Sequence, residues 1–321
     1  MKKKAIGLLA SLFYSSMFAQ QKEFEGILVY RVEIKSKSDL ISDRVFKNIL
    51  AVGNETTVWV KQGNYKQTSG ISTTYYITKD QKAYIKFNSL DTLYYVDYSA
   101  DTSAVTNVSK TEEKRNIAGF ECKSITIQQS NTVRKYYYAP ALYMNPEYDK
   151  NNTIGRYDVF AKETSSLYLD CAEENKSYSF QLTCFRLQQT AIADSVFDLP
   201  KLPRKKFSID ELTIPAEYTK SGGWEKYLQA NINTELAPKY IKVPKGEEKA
   251  SETVYIKFLV NEYGKVVKAT VDNPKEVHSK LAEEALRVVN ESPLWKPATI
   301  YGGEKTIFWL RIPITFEVIK K

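Results

Sequence analysis

The chain has 321 residues, 43% of them hydrophobic and 26% charged, which is enough for two domains with separate cores and excludes a disordered, collagen-like or polytopic membrane protein. The formal charge of +8 is modest for this length, and three of those charges are Lys2, Lys3 and Lys4. The densest basic cluster, Arg204-Lys205-Lys206, lies in a Pro-flanked stretch and reads as a solvated connection, so no nucleic acid partner is expected.

Residues 1–20 read as an export signal: a lysine-rich start, a mostly apolar run from Ala5 to Ala19, and a polar segment opening at Gln20. The run is shorter than the roughly 20 residues of a membrane span, and no Cys follows it to carry a lipid anchor. Met17-Phe18-Ala19 is a poor small-x-small cleavage site, so retention of the segment as an anchor stays open. The expected location is the periplasm, with association to the outer membrane as a variant.

From Phe24 to about Leu202 the pattern has a period of two. Leu28, Tyr30, Val32 and Ile34 alternate with Val29, Arg31 and Glu33, the signature of a strand with one buried face. Further strands are expected at residues 58–65, 73–78, 83–87, 93–98, 123–127, 133–138 and 178–187, punctuated by turn signals such as Gly63-Asn64 and Asn88-Ser89. Most of the 23 tyrosines fall in this region, where a ring covers a pleated surface while its hydroxyl stays wet. Such a series describes a large antiparallel sheet, curled or closed.

Cys122, Cys171 and Cys184 are odd in number, so at most one bridge forms within the chain. Cys171 with Cys184 is the favoured pair, since both flank a strand-rich stretch and closing so short a loop adds about 3 kcal/mol in the chain-entropy model. No C-x-x-C offers a redox pair or zinc ligands.

The segments Ile117-Ala-Gly-Phe-Glu-Cys-Lys123, Tyr136-Tyr-Tyr138 with Pro140, Asn145-Pro146 and Asp194-Ser-Val-Phe-Asp-Leu-Pro200 resemble the exported GLPGLI-type proteins of gram-negative bacteria. Those are similar to the half-barrel of lipoprotein carriers such as LolA, an open curved sheet with an apolar concave face. The resemblance spans about residues 22–204 and implies binding of an acyl chain or other apolar partner there, unless loops close the sheet over.

Pro203, Pro215 and the basic cluster place a linker at residues 205–215. Beyond it, Gly222-Gly223 precedes Trp224, Tyr227, Leu228 and Asn231 at helical spacing. Val254, Ile256, Phe258 and Val260 then alternate as a strand, Asn261-Glu-Tyr-Gly264 turns the chain, and residues 266–271 return as the second strand of a hairpin. Leu281, Ala285, Leu286 and Val289 mark the buried stripe of a helix whose early Glu283 and Glu284 oppose its macrodipole and read as solvated. A long last strand over residues 306–318 sets Phe308, Leu310, Ile312, Ile314, Phe316 and Val318 on one face.

This order, with Ala216-Glu-Tyr218, Asn261-Glu-Tyr-Gly-Lys-Val266, Glu284-Ala-Leu-Arg-Val-Val289, Trp295-Lys-Pro297 and Ile312-Pro-Ile-Thr-Phe316, resembles the C-terminal domain of TonB energy transducers over about residues 216–319. The fold class expected is therefore α+β: an N-terminal antiparallel β half-barrel, LolA-like, over residues 21–204, and a small TonB C-terminal-like α+β domain over residues 216–321. The resemblance implies capture of an extended peptide, such as a segment of an outer-membrane receptor or another envelope protein, by strand addition. A TonB transducer has a retained membrane helix and a long Pro-rich spacer, whereas this sequence has an export signal and a globular domain in the spacer's place, so the resemblance leaves energy transduction open.

Pro313 lacks the donor that a central strand requires, which marks residues 306–318 as an edge. The peptide-binding residues expected on it are Ile307, Trp309, Arg311 and Thr315. His278, the one imidazole, has no nucleophile elbow nearby and reads as a solvated helix-end residue. No cofactor and no metal are expected, and the chain reads as a non-enzymatic binding protein. A lipid or lipoprotein acyl chain held in the N-terminal sheet is the alternative ligand. The sequence does not fix the oligomeric state.

Overall fold

Alternating burial organises most of the chain into one large open antiparallel sheet, accompanied by two small sheets and a few helices. The computed structural model describes residues 22–320, so the expected export signal lies outside the described residues. The strands of the first part are β1 (Gly26–Ser36), β2 (Glu55–Lys61), β3 (Asn64–Ser69), β4 (Ser72–Ile77), β5 (Lys82–Phe87), β6 (Leu93–Asp97), β7 (Val105–Ile117), β8 (Phe120–Gln129), β9 (Thr132–Tyr143), β10 (Ser166–Glu174), β11 (Tyr178–Gln189) and β12 (Arg204–Lys206). They form one 12-stranded sheet in the order β12-β6-β5-β4-β3-β2-β1-β11-β10-β9-β8-β7. Among the described residues only the β12–β6 pairing is parallel. Two short helices lie between strands, α1 (Asp43–Ile49) and α2 (Tyr157–Thr164).

Two departures from the expected strands have local causes. The run 58–65 is split into a hairpin, because Gln62 and Gly63 both take positive φ and turn the chain in two residues. The stretch 205–215 is not a free linker: Lys205 and Lys206 belong to β12 beside Tyr94 and Tyr95. Their side chains are exposed, so the basic cluster reads as solvated although its backbone is in the sheet.

The second part holds β13 (Thr213–Ile214), α3 (Gly223–Asn231), α4 (Leu236–Tyr240), β14 (Lys249–Val260), β15 (Val266–Val271), α5 (Ser279–Asn290), β16 (Thr299–Ile300), β17 (Glu304–Lys305) and β18 (Phe308–Ile319). The last strand thus starts after Ile307. Strands β15, β14 and β18 form a sheet in that order, and β13, β16 and β17 another. Val254, Ile256, Phe258, Leu281, Ala285, Ile314 and Phe316 make the core between the first of these sheets and its helices. Gly264 turns the β14–β15 hairpin at φ +84, and a Cβ there would sit 2.0 Å from the carbonyl oxygen of Trp295, so neither the dihedral nor the space admits a side chain. In α5 the stripe is completed by Val288, while Leu286 is only half-buried. Glu284 is buried rather than solvated: Arg287 grips it with two N–H groups at 2.7 and 2.9 Å, and the Asn233 N–H donates to it at 2.7 Å.

The two parts meet at a built junction. Tyr301, 4% exposed, stacks on Phe87 with ring centres 4.2 Å apart, and its hydroxyl donates to the Ile49 carbonyl at 2.8 Å. Asn48 donates to the Lys305 carbonyl at 2.8 Å, and Ser42 to the Glu262 carboxylate at 2.6 Å. The junction therefore uses α1, the β5–β6 hairpin, the β14–β15 turn and the β16–β17 segment, and leaves β18 outside it.

Candidate functional site

β18 pairs with β14 along its whole length, Phe308 opposite Val260 and Ile319 opposite Lys249. In an antiparallel pair, residues alternate between exchanging both backbone hydrogen bonds and pointing those groups away. The Tyr255 carbonyl accepts from Asp272 and its N–H donates to the Asn273 side chain, so Tyr255 turns its backbone away from β18. Its partner Pro313 must therefore turn its own backbone outward, to the side of β18 away from β14. By the same parity Trp309, Arg311, Thr315 and Glu317 present their N–H and C=O groups at that outer edge, and none of these groups has a backbone partner among the described residues. The missing donor of Pro313 falls on this free side, which is why proline sits there at no cost to the β14–β18 ladder.

The side chains of the same residues lie on the face of the sheet opposite α5. Trp309, 42% exposed, has the Lys257 and Lys268 ammonium groups 5.4 and 6.0 Å from its ring centre. The Arg311 guanidinium lies 3.9 Å over the Tyr255 ring and donates to Asp272 at 2.7 Å. Thr315 bonds Thr253 across the pair at 2.9 Å. These contacts tie three of the four expected residues to side chains of the neighbouring strands and to Asp272. Ile307 stands apart from them in the connection before β18. Glu317, not among the expected residues, is brought to the edge by the register.

The edges of the two sheets differ. At the end of the large sheet, β7 is exposed from Thr106 to Asn116 and carries Lys110, Glu112, Glu113, Lys114 and Arg115, a density of charge that opposes pairing with a foreign strand. β18 has 12 residues and only Arg311 and Glu317 charged.

A second feature lies on the inner face of the large sheet. Segment 144–165, between β9 and β10, crosses to the far side of the sheet, where the Thr153 N–H donates to the Tyr98 carbonyl at 2.8 Å and Asn151 donates to Gln81 at 3.0 Å. Phe160 of α2 packs on Tyr136, Tyr138 and Tyr168. Between this strap and the strands remains a cavity of about 230 Å³, walled by apolar side chains including Leu28, Val58, Val60, Leu167, Phe180 and Leu182. Tyrosines 30, 65, 76, 136, 157 and 168 also border it, and burial pushes the phenol of each upward in pKa.

One polar cluster stands at the wall of this cavity. Asp149, 2% exposed, accepts from the Tyr65 hydroxyl at 3.2 Å and from Asn152 Nδ2 at 3.1 Å. No cation pairs with it among the described residues, and burial pushes its carboxyl up to about 6. Asn152, 4% exposed, borders the cavity, and its Oδ1 has no hydrogen-bond partner among the described residues. The sequence gives little sign of this cluster, since residues 145–153 carry no apolar period.

The expected Cys171–Cys184 bridge is not formed. Cys122, Cys171 and Cys184 are all free, buried thiols. Cys171 lies opposite Leu182, which puts Cys184 on the diagonal, a spacing of about 7–8 Å that exceeds the reach of a disulfide. Burial raises the pKa of each thiol, to about 11 for Cys122 and Cys184. His278 is exposed at the start of α5, stacked on Tyr240 with ring centres 4.3 Å apart, and its Nδ1 accepts from the Lys280 N–H at 3.2 Å.

No protein-family model matches the chain, and no curated protein matches it. Among solved structures, PNGF-II in one crystal form is similar at 9% identity and a TM-score of 0.35, over 74% of this chain and 44% of that one. PNGF-II in a second crystal form is similar at 8% identity and a TM-score of 0.36, with the same coverage. The chain thus matches less than half the length of PNGF-II. LprF from Mycobacterium bovis is similar at 8% identity and a TM-score of 0.23, over 54% of this chain and 89% of that one. At such scores these likenesses carry no argument about function.

Proposed function

We propose that this chain is an exported, non-enzymatic binding protein of the gram-negative cell envelope that takes an extended peptide onto the outer edge of β18. The observation that carries the proposal is the row of outward backbone groups at Trp309, Arg311, Thr315 and Glu317, which have no backbone partner among the described residues, on a strand that the domain junction leaves free. Main-chain hydrogen bonds supply affinity, and the Trp309 and Arg311 side chains select the peptide's alternate residues. The TonB-like order of motifs over residues 216–319 supports a segment of an outer-membrane receptor, or of another envelope protein, as the partner. Titrating the 15N-labelled protein with a peptide from a receptor's N-terminal extension is expected to shift the amide signals of Trp309, Arg311, Thr315 and Glu317. Unchanged spectra at millimolar peptide contradict the proposal.

A second reading is favoured by the cavity. The GLPGLI-type and LolA-like motifs, together with an apolar chamber under a strap, support an apolar ligand in the large sheet. The chamber of about 230 Å³ is just below the roughly 300 Å³ at which drug-sized pockets begin, so it fits one short hydrocarbon chain rather than a whole lipid.

A further inference from the structure

The wall of the cavity is polar in places but carries no charge. Among the described residues no lysine, arginine, histidine, aspartate or glutamate borders it. Burial raises the pKa of its phenols and of the Cys171 thiol, which keeps them all in their neutral forms. Asp149 is not part of the wall: Tyr65 and Asn152, which are, both donate to it. A head group of either sign that entered the chamber would give up its hydration and find no counter-ion in the wall.

Several polar side chains of the wall are already engaged by the protein. Tyr30 donates to the Tyr168 carbonyl at 2.9 Å, Thr56 to Ser69 Oγ at 2.7 Å and Tyr136 to the Gly155 carbonyl at 3.4 Å, while the Tyr157 phenol interacts with that of Tyr65. The hydroxyls of Tyr76 and Tyr168 are different: neither has a hydrogen-bond partner among the described residues, and neither is sealed in the packing as the Tyr98 hydroxyl is. Burial nevertheless raises the pKa of both phenols, so the open surface of these hydroxyls belongs to the cavity and not to bulk solvent. Tyr76 is among the groups that push the Tyr168 phenol up, which brings the two together across the chamber. Gln67, on the diagonal from Tyr76 and on the same face of the sheet, has an amide without a partner among the described residues as well.

Resting on the cavity reading above, we infer that the chamber binds an uncharged hydrocarbon chain bearing a hydroxyl group, which hydrogen-bonds to the Tyr76 and Tyr168 hydroxyls. A neutral phenol both donates and accepts, and so does an alcohol, so the ligand satisfies a wall of mixed donors and acceptors without bringing a charge into it. The chain lies against Leu28, Val58, Val60 and Phe180.

Isothermal titration of the full chain with octan-1-ol, octylammonium chloride and sodium octanoate at about pH 7.5 tests the inference. The alcohol is expected to bind at least about tenfold tighter than either ion. The double substitution Tyr76→Phe with Tyr168→Phe is expected to weaken the alcohol by at least about tenfold. Neither hydroxyl bonds the rest of the protein, so the double variant should unfold at the wild-type urea midpoint or above it. A lower midpoint shows the hydroxyls bonded within the fold and overturns the inference. An ion of either sign that binds as tightly as the alcohol overturns it too, as does alcohol affinity that survives both substitutions, yet each of these leaves the cavity reading standing. Binding of none of the three probes overturns both.

Discussion

Replacing Tyr301 by alanine is expected to destabilise the protein by about 3–5 kcal/mol, the range for deleting a large buried aromatic side chain. The ring is 4% exposed and lies parallel to Phe87 within 9°, with Tyr94 and Phe207 packed around the same cluster. Alanine leaves a void that the two sheets cannot close without sliding past each other, and it strips the Ile49 carbonyl of its donor. Tyr301→Phe keeps the ring and loses only that bond, so its cost should be about 1 kcal/mol. Urea unfolding followed by far-ultraviolet circular dichroism separates the two outcomes. A loss below about 1 kcal/mol for the alanine variant means that the junction is not formed as described.

The second large effect concerns Asp149. Its carboxyl titrates at about 6 in the folded chain against 3.8 for an ordinary aspartate, a gap worth about 2–3 kcal/mol. The sign follows from proton uptake: between these values the folded state holds the proton and the unfolded state does not, so stability from this group is present below about pH 4 and is lost as pH rises to about 6. Asp149→Asn removes the titration and can still satisfy Tyr65 and Asn152. The variant is therefore expected to match the wild type near pH 4 and to exceed it by about 2–3 kcal/mol above pH 6. Comparing the two chains at each pH cancels the contribution of all other carboxylates. A difference that stays flat between pH 4 and 7 contradicts the burial of Asp149.

How far the sequence was legible depended on whether burial alternated along it. β1, β14 as far as Phe258, and β18 each have one face against a core and one more open to solvent, and their alternating residues locate them to within a few positions. β7 was missed because both its faces are exposed from Thr106 to Asn116, so no apolar periodicity exists to read. β10 was missed because Leu167, Leu169, Asp170 and Cys171 are all buried, which blurs the period. The run 58–65 looked continuous since Gln62 interrupts it with an ordinary side chain in an unusual φ. β12 was invisible because backbone pairing leaves no mark on the exposed side chains of Arg204, Lys205 and Lys206.

The candidate sites divide along the same line. Trp309, Arg311 and Thr315 were legible as one face of a strand, and Pro313 as an edge marker, because both follow from local covalent chemistry. Glu317 became part of the edge only through the parity set by Tyr255 and Pro313. Asp149 and Asn152 owe their burial to a strap that crosses the sheet, and the pairing of Cys171 with Leu182 is a matter of register. Both are long-range facts that a local pattern does not contain.

Hydrogen exchange resolved at single amides, with and without a receptor-derived peptide, bears most directly on the β18 edge. In the free protein the amides of Leu310, Ile312, Ile314 and Phe316, which face β14, should exchange slowly, while those of Trp309, Arg311, Thr315 and Glu317 exchange fast. Peptide should slow the second set and leave the first unchanged. Slow exchange of Trp309, Arg311 and Thr315 in the free protein would show an edge already occupied, and fast exchange at saturating peptide would show one that takes no strand.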